Sequence, residues 1–128
     1  MRKILLALAS LMFALSTSAY AQDGDAVAGT KVFKKCAACH SAEEPKNKVG
    51  PHLVGIINRP IASLENFKYS KAMIGFAEGD KVWSEELLRD YFIAPRAIIK
   101  GTRMAFVGVK KPKDVDDLMA YLRSLAAE

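Results

Sequence analysis

The chain has 128 residues, 19 basic against 14 acidic, for a formal net charge of +5, and 51% of its residues are hydrophobic. It shows no internal repeat, low-complexity tract, linker or sustained strand-like alternation, which leaves one small, mildly basic domain of helices joined by loops. No nucleic-acid partner is expected from it.

Residues 1–21 read as a secretory signal. Arg2 and Lys3 form a short basic head, Ile4 to Leu15 is apolar, and Ala19-Tyr20-Ala21 ends in the small residues that signal peptidase accepts. The apolar run is shorter than the roughly 20 residues of a spanning helix, so cleavage after Ala21 is expected, a retained membrane anchor being the alternative. The mature domain, 22–128, keeps 17 basic residues against 14 acidic, a net +3.

The first helix is expected to start near Asp23 or Asp25, whose short acidic side chains suit a helix N-terminus, and to carry Gly29, Val32, Phe33 and Cys36 at helical spacing. It leads into Cys36-Ala37-Ala38-Cys39-His40. Two thiols three apart with an imidazole behind the second make the attachment site of a c-type haem. If the stretch is helical, both sulfurs lie on one face, able to form thioethers to one porphyrin edge, and His40 is aimed at the iron. A dithiol redox pair would want a βαβ surround, and half a zinc site would need two more ligands, whereas the chain has no other cysteine and one other histidine, His52. Both cysteines being committed, no disulfide is expected. For a domain this small, a covalently held porphyrin adds a large apolar body to the core.

From Ser41 to Leu64 three prolines and two glycines read as a long loop on the His40 side. Tyr69, Ala72, Met73 and Phe76 give helical spacing for a short helix. Ser84 is the expected N-cap of the next, with Glu85 and Glu86 in its first turn, Leu87, Leu88, Tyr91 and Phe92 buried, and Pro95 ending it. Ile98 to Lys111 is expected to be a loop containing Gly101, Met104 and Gly108. The last helix follows Pro112, with Asp114, Asp116 and Asp117 at its start and Val115, Leu118, Met119, Leu122 and Leu125 on its apolar face.

What fills the sixth position of a histidine-bound haem iron decides between electron carrier, sensor and enzyme. Met73 and Met119 fall at core spacing on helices, where methionine is usually filling. Met104 stands in a glycine-bearing loop and is the candidate ligand, with a packing role as the alternative.

From about Gly29 to Leu125 the sequence resembles the class I c-type cytochromes, close to the mitochondrial and short soluble bacterial ones. The resemblance rests on the attachment site and on Gly50-Pro51-His52-Leu53 leading to Arg59, Phe67-Lys68-Tyr69-Ser70, Trp83, Tyr91, Gly101-Thr102-Arg103-Met104-Ala105-Phe106 and Leu118-Met119-Ala120-Tyr121-Leu122. It implies an all-α cytochrome c fold, four to five helices and long loops around one covalent haem c. It makes Met104 the second axial ligand beside His40, and Pro51 the acceptor of a hydrogen bond from the axial histidine. Arg59, Tyr69 and Trp83 match positions near a haem propionate, Tyr91 and Thr102 lie in the axial methionine's surroundings, and Phe106 matches an aromatic at the haem edge. Gly29 and Phe33 match the contact of the first helix with the last, at Leu118 and Tyr121.

Three departures stand out. Lys100 replaces a proline common before Gly-Thr-Lys-Met, Arg103 replaces the lysine, and Met73 replaces an asparagine of the mitochondrial relatives, so the Met104 loop is expected to be less rigid and the haem pocket differently polar. His52, next to Pro51, reads as a surface histidine rather than a second ligand.

The function implied is that of a monomeric periplasmic electron carrier, not an enzyme, with a haem enzyme or ligand sensor, or a membrane-tethered cytochrome, as alternatives. Its partners would be larger redox complexes: a quinol-oxidising donor, and an oxidase, reaction centre or nitrogen-oxide reductase as acceptor. Lys35, Lys48, Arg96, Arg103, Lys110 and Lys111 bracket the segments expected around the haem edge, while acids gather at the starts of the last two helices, which would steer an acidic partner to that edge.

Overall fold

The computed structural model describes residues 24–126; the expected export signal, 1–21, lies outside the described residues. Five helices follow one another: α1 (Ala26–Phe33), α2 (Lys71–Phe76), α3 (Glu85–Ile93), α4 (Pro95–Ile98) and α5 (Pro112–Ala126). Among the described residues no strand forms beyond one antiparallel bridge between Pro60 and Val82, and no helix is long and apolar enough to cross a membrane.

Each helix starts where a local signal sets it. Asp25 caps α1 by accepting from the backbone N–H groups of Val27 and Ala28. Ser70 and Ser84 cap α2 and α3 through Met73 and Leu87 N–H, and Glu85 and Glu86 occupy the first turn of α3. Pro95 separates two helices rather than ending one. The chain leaves α3 at Ala94 (φ −148°, ψ 71°) and Pro95 then opens α4, where its fixed φ and missing N–H suit the first helical position. The expected Ile98–Lys111 loop accordingly loses Ile98 to α4.

The eight residues of α1 are too few to hold a helix alone, so its stability comes from packing across α5. Gly29, Val32 and Phe33 are buried on α1, and Val115, Leu118, Met119, Tyr121 and Leu122 on α5. Burying one such aliphatic side chain contributes roughly 1.5–3 kcal/mol, and Met119 is wholly enclosed, the filling role its spacing suggests. The crossing is closest at Gly29, where a Cβ would collide with the Asp117 carbonyl and stand 2.6 Å from Tyr121 Cβ. Phe33 packs on Tyr121 with ring centroids 5.5 Å apart. The contact between first and last helices implied by the resemblance is therefore present.

One buried group on α5 was not expected. Asp117, assigned by its position to the helix's acidic start, is 4% exposed. Its Oδ1 accepts from the Asp25 backbone N–H and, like Oδ2, from Lys113 Nζ, all within 2.9 Å. Arg89–Asp116 (2.5 Å) and Arg123–Glu85 (3.1 Å) tie α3 to α5. These pairs are partly exposed and worth little individually.

Two expectations follow. Gly29→Ala forces α1 off α5 and should destabilise the protein at or above the upper end of the roughly 1–3 kcal/mol typical of overpacking, read from denaturant midpoints. The Lys113 ammonium, together with the Asp25 N–H, holds the Asp117 carboxyl below its usual range. A depressed folded-state pKa gives stability that is present above the ordinary carboxylate pKa and lost as pH falls through the depressed one. The denaturant midpoint of Asp117→Asn should therefore fall less as pH is lowered than that of the unaltered protein; parallel pH profiles would contradict this.

Candidate haem site

The attachment stretch lies just beyond α1, in a run of turns rather than in the helix. Cys36 and Ala37 N–H both donate to the Phe33 carbonyl, and Cys39 and His40 N–H both donate to the Cys36 carbonyl. These i+3 and i+4 bonds keep a helical sense through Cys36–His40, the condition under which Cys36 and Cys39 share a side. Both thiols are free and half-buried, and burial pushes the Cys36 thiol up despite the opposing charge of Lys35. Among the described residues no three His, Cys, Asp or Glu side chains gather as a cluster that could hold a metal ion.

His40 is oriented by a hydrogen bond. Its Nδ1 lies 2.7 Å from the Pro51 carbonyl oxygen; a carbonyl only accepts, so Nδ1 carries the proton and Nε2 keeps its lone pair. Burial lowers the His40 pKa, the Pro51 bond opposes this, and the charge of Lys48 adds to the lowering. A neutral imidazole with Nε2 available is what iron ligation requires. Gly50 completes the setting: a Cβ on it would stand 2.8 and 2.9 Å from the ring nitrogens. The resemblance includes Gly50 but gives it no role, because the space that a glycine leaves shows only once the ring is placed beside it.

The other expected residues fall into two groups. Trp83 is 6% exposed and stacks between Tyr91 (4.9 Å) and Phe76 (6.4 Å). Its backbone pairs with Asn58 and Arg59, flanking the Pro60–Val82 bridge. Arg59 is partly buried and donates to the carbonyls of His52 and Val54 at 3.0 and 3.1 Å. Tyr69 stands just before α2, packs edge-on against Phe67, and accepts from Leu64 N–H.

Met104 and Phe106 are half-buried against the core. Thr102 Oγ1 accepts from Met104 N–H and partners the Tyr91 hydroxyl, whose pKa burial raises. Although proline is absent at 100, the loop is held: Thr102 N–H donates to the Ile99 carbonyl, Ile99 is 2% exposed, and Arg103 Nη2 donates to the Lys68 carbonyl at 2.6 Å.

The basic residues are less free than their positions suggested. Lys35 lies 3.8 Å from Asp114, Lys48 donates to the Ala37 carbonyl, and Lys110 donates to the Val107 carbonyl. Arg96 and Lys111 are exposed. His52 is partly exposed. Its N–H is held by Asn47 Oδ1, its carbonyl by Arg59, and its Nδ1 is buried without a partner.

These residues fit a haem. The half-buried apolar set packed on the core includes Cys36, Leu53, Met73, Phe76, Met104 and Phe106, and no residue of α2 is fully buried although its apolar face meets the core. Apolar surface left half-open next to two thiols and a lone-pair imidazole suits a flat apolar group with a metal at its centre. An all-α chain folded about such a turn is a c-type haem protein.

The cytochrome c family model matches residues 26–126. The chain belongs to the cytochrome c family: it is a class I c-type cytochrome, an electron carrier with covalently bound haem c. It is 46% identical over 105 residues to a cytochrome c2 of Afifella marina, covering 80% of this chain and 85% of that one. Its similarity to a cytochrome c2 of Blastochloris viridis, 42% over 130 residues, covers 100% of this chain and 97% of the other. The solved structure of cytochrome cH from Methylobacterium extorquens superposes with a TM-score of 0.70 at 36% identity, over 79% of this chain and 99% of that one.

Beside His40, Tyr121 Oη donates to Glu43 Oε1 at 3.0 Å in a cavity lined also by Phe33, Ala37 and Lys48. Burial and the Glu43 carboxylate push the Tyr121 phenol up to about 12. Ultraviolet titration should find this tyrosine ionising at about 12, and Glu43→Gln should bring it down towards the ordinary range. An unshifted tyrosine in that variant would place the cause elsewhere.

Proposed function

We propose that this chain is a soluble carrier of the periplasm, exported by its signal and cleaved after Ala21, that passes single electrons between larger redox complexes. Its haem iron is held by His40 and Met104. The observation that carries the ligand assignment is the Pro51–His40 hydrogen bond, which leaves Nε2 as the ring's one donor atom for a metal. Bound haem supplies an iron atom that changes oxidation state by one electron; every other task falls to the chain.

Cys36 and Cys39 fix the group covalently, so the carrier keeps it through each exchange. His40, neutral and held in one tautomer, donates from one side. Met104 offers a thioether from a loop fastened by Thr102 and Arg103. With His40 and Met104 both available to hold a bound haem iron, no substrate would need to enter and little would have to move between oxidation states, which is what distinguishes a carrier from a haem enzyme or sensor. Arg59, Tyr69 and Trp83 serve the propionate side. Arg59 gains most there, because burial already lowers its pKa and a nearby anion would stabilise its charge.

Docking draws on the basic residues about the attachment turn and the Met104 loop, all of them exposed, with Arg96 and Lys111 the members not tied to a carbonyl or carboxylate of the chain, and the partner surface is acidic. A quinol-oxidising complex is the donor class, and an oxidase, reaction centre or nitrogen-oxide reductase the acceptor class. The relatives named cytochrome c2 support a carrier role.

Replacing Met104 by Ala should abolish the weak far-red band of iron–methionine charge transfer, lower the reduction potential and admit small ligands, with covalent haem retained. Met73→Leu should leave the band in place. Persistence of the band in Met104→Ala together with its loss in Met73→Leu would transfer the ligand role to α2.

A further inference from the structure

The segment after the attachment turn is pinned back onto it. Gly50 N–H donates to the Cys39 carbonyl at 2.9 Å, the Pro51 carbonyl accepts from His40, and Lys48 Nζ donates to the Ala37 carbonyl at 2.8 Å. Leu53 N–H continues the run to the Ser41 carbonyl at 2.7 Å. Asn47 closes the loop from below: its Oδ1 accepts from His52 N–H, and its Nδ2 reaches Asn66. Between these ties Val49 is 82% exposed and contributes no packing. Pro51, lacking an N–H, cannot add a bond of its own. The position of its carbonyl oxygen therefore depends on its neighbours.

We propose that Gly50 and Lys48 are positioning residues for the axial histidine. Gly50 leaves the space that the imidazole fills, and Lys48 ties the loop bearing the Pro51 carbonyl to the attachment turn. The proposal rests on the reading of His40 as the iron ligand. The hydrogen bond from Nδ1 sets ring orientation and raises the ligand's basicity, so whatever holds the Pro51 oxygen controls both. Gly50 acts by exclusion: any side chain there meets the ring, and the ring and the Pro51 carbonyl cannot both stay in place. Lys48 acts by attachment. Its ammonium is already committed to a carbonyl of the Cys36–His40 turn, so its main work is within the chain rather than towards a partner. The bond is at the surface, where one charge-assisted contact is modest, and its loss should loosen the clamp several-fold rather than abolish it.

Solvent exchange of the His40 Nδ1 proton, followed by NMR in the ferrous holoprotein, reads the Pro51 bond directly. Lys48→Met should speed it about three- to fivefold. Lys48→Arg, which keeps a donor, should restore the slow rate. Lys46→Met removes the same charge from the same exposed loop without touching the tether, and should change nothing. Gly50→Ala should have the larger effect, and if that variant fails to take up haem the Lys48 series still decides the matter. An unchanged rate in Lys48→Met, with histidine ligation intact, overturns the clamp. Equal acceleration by Lys46→Met also overturns it, showing an effect of charge alone. A holoprotein whose unaltered form lacks His40 ligation would instead overturn the reading beneath it, an outcome visible in the spectrum before any exchange is measured.

Discussion

The crossing of α1 over α5 is the contact on which the rest of the molecule depends. Helix α1 is too short to persist alone, and the turn bearing both cysteines and His40 begins where it ends. Gly29 lets the two backbones approach within the reach of one absent methyl group. Asp117 then fixes the entry to α1 through the Asp25 N–H. Because Asp25 also caps the helix, one carboxylate on α5 governs where α1 begins, and therefore where the attachment turn emerges.

The long loop between the attachment turn and α2 is ordered by other means. Side chains bonded to backbone take the place of secondary structure: Asn47 on His52, Arg59 on His52 and Val54, Tyr69 on Leu64. The Pro60–Val82 bridge and its flanking backbone bonds then anchor the loop to the residues before α3. Such bonds satisfy buried backbone groups that a loop would otherwise leave unpaired. They also leave an apolar inner face half-open, with Met73 and Phe76 on α2 among its members. In a domain this small the haem completes the core, so the apolar wall that stabilises the fold is also the wall that surrounds the redox group.

Charge in this protein is used internally as well as at the surface. Lys113 and Asp117 pair within α5, and two ion pairs join α3 to α5, Arg89 of α3 with Asp116 and Arg123 of α5 with Glu85. Lys48, Lys110 and Arg103 each cap a backbone carbonyl in or beside the haem site. The net positive charge therefore understates how many basic side chains already have structural work, and the freely presented charge is smaller than the composition implies.

The covalent chemistry was determined by the sequence alone, since two thiols and an imidazole at fixed short spacing need no tertiary contact to declare a c-type haem. The starts of α1 and α3 were legible too, because Asp25 and Ser84 act on N–H groups a few residues away, and that of α5 because the fixed φ and missing N–H of Pro112 suit a first helical position. Helix α4 was not: Pro95 reads as a stop from the α3 side, and only the turn at Ala94 makes it a start. The burial of Asp117, the commitment of Lys48 and the space left by Gly50 were settled by the tertiary structure. Asp117 meets the Asp25 N–H across 92 positions and Lys48 meets Ala37 across 11. A hydrogen-bonding group declares its type in the sequence, but its partner is fixed only when packing brings distant backbone to it.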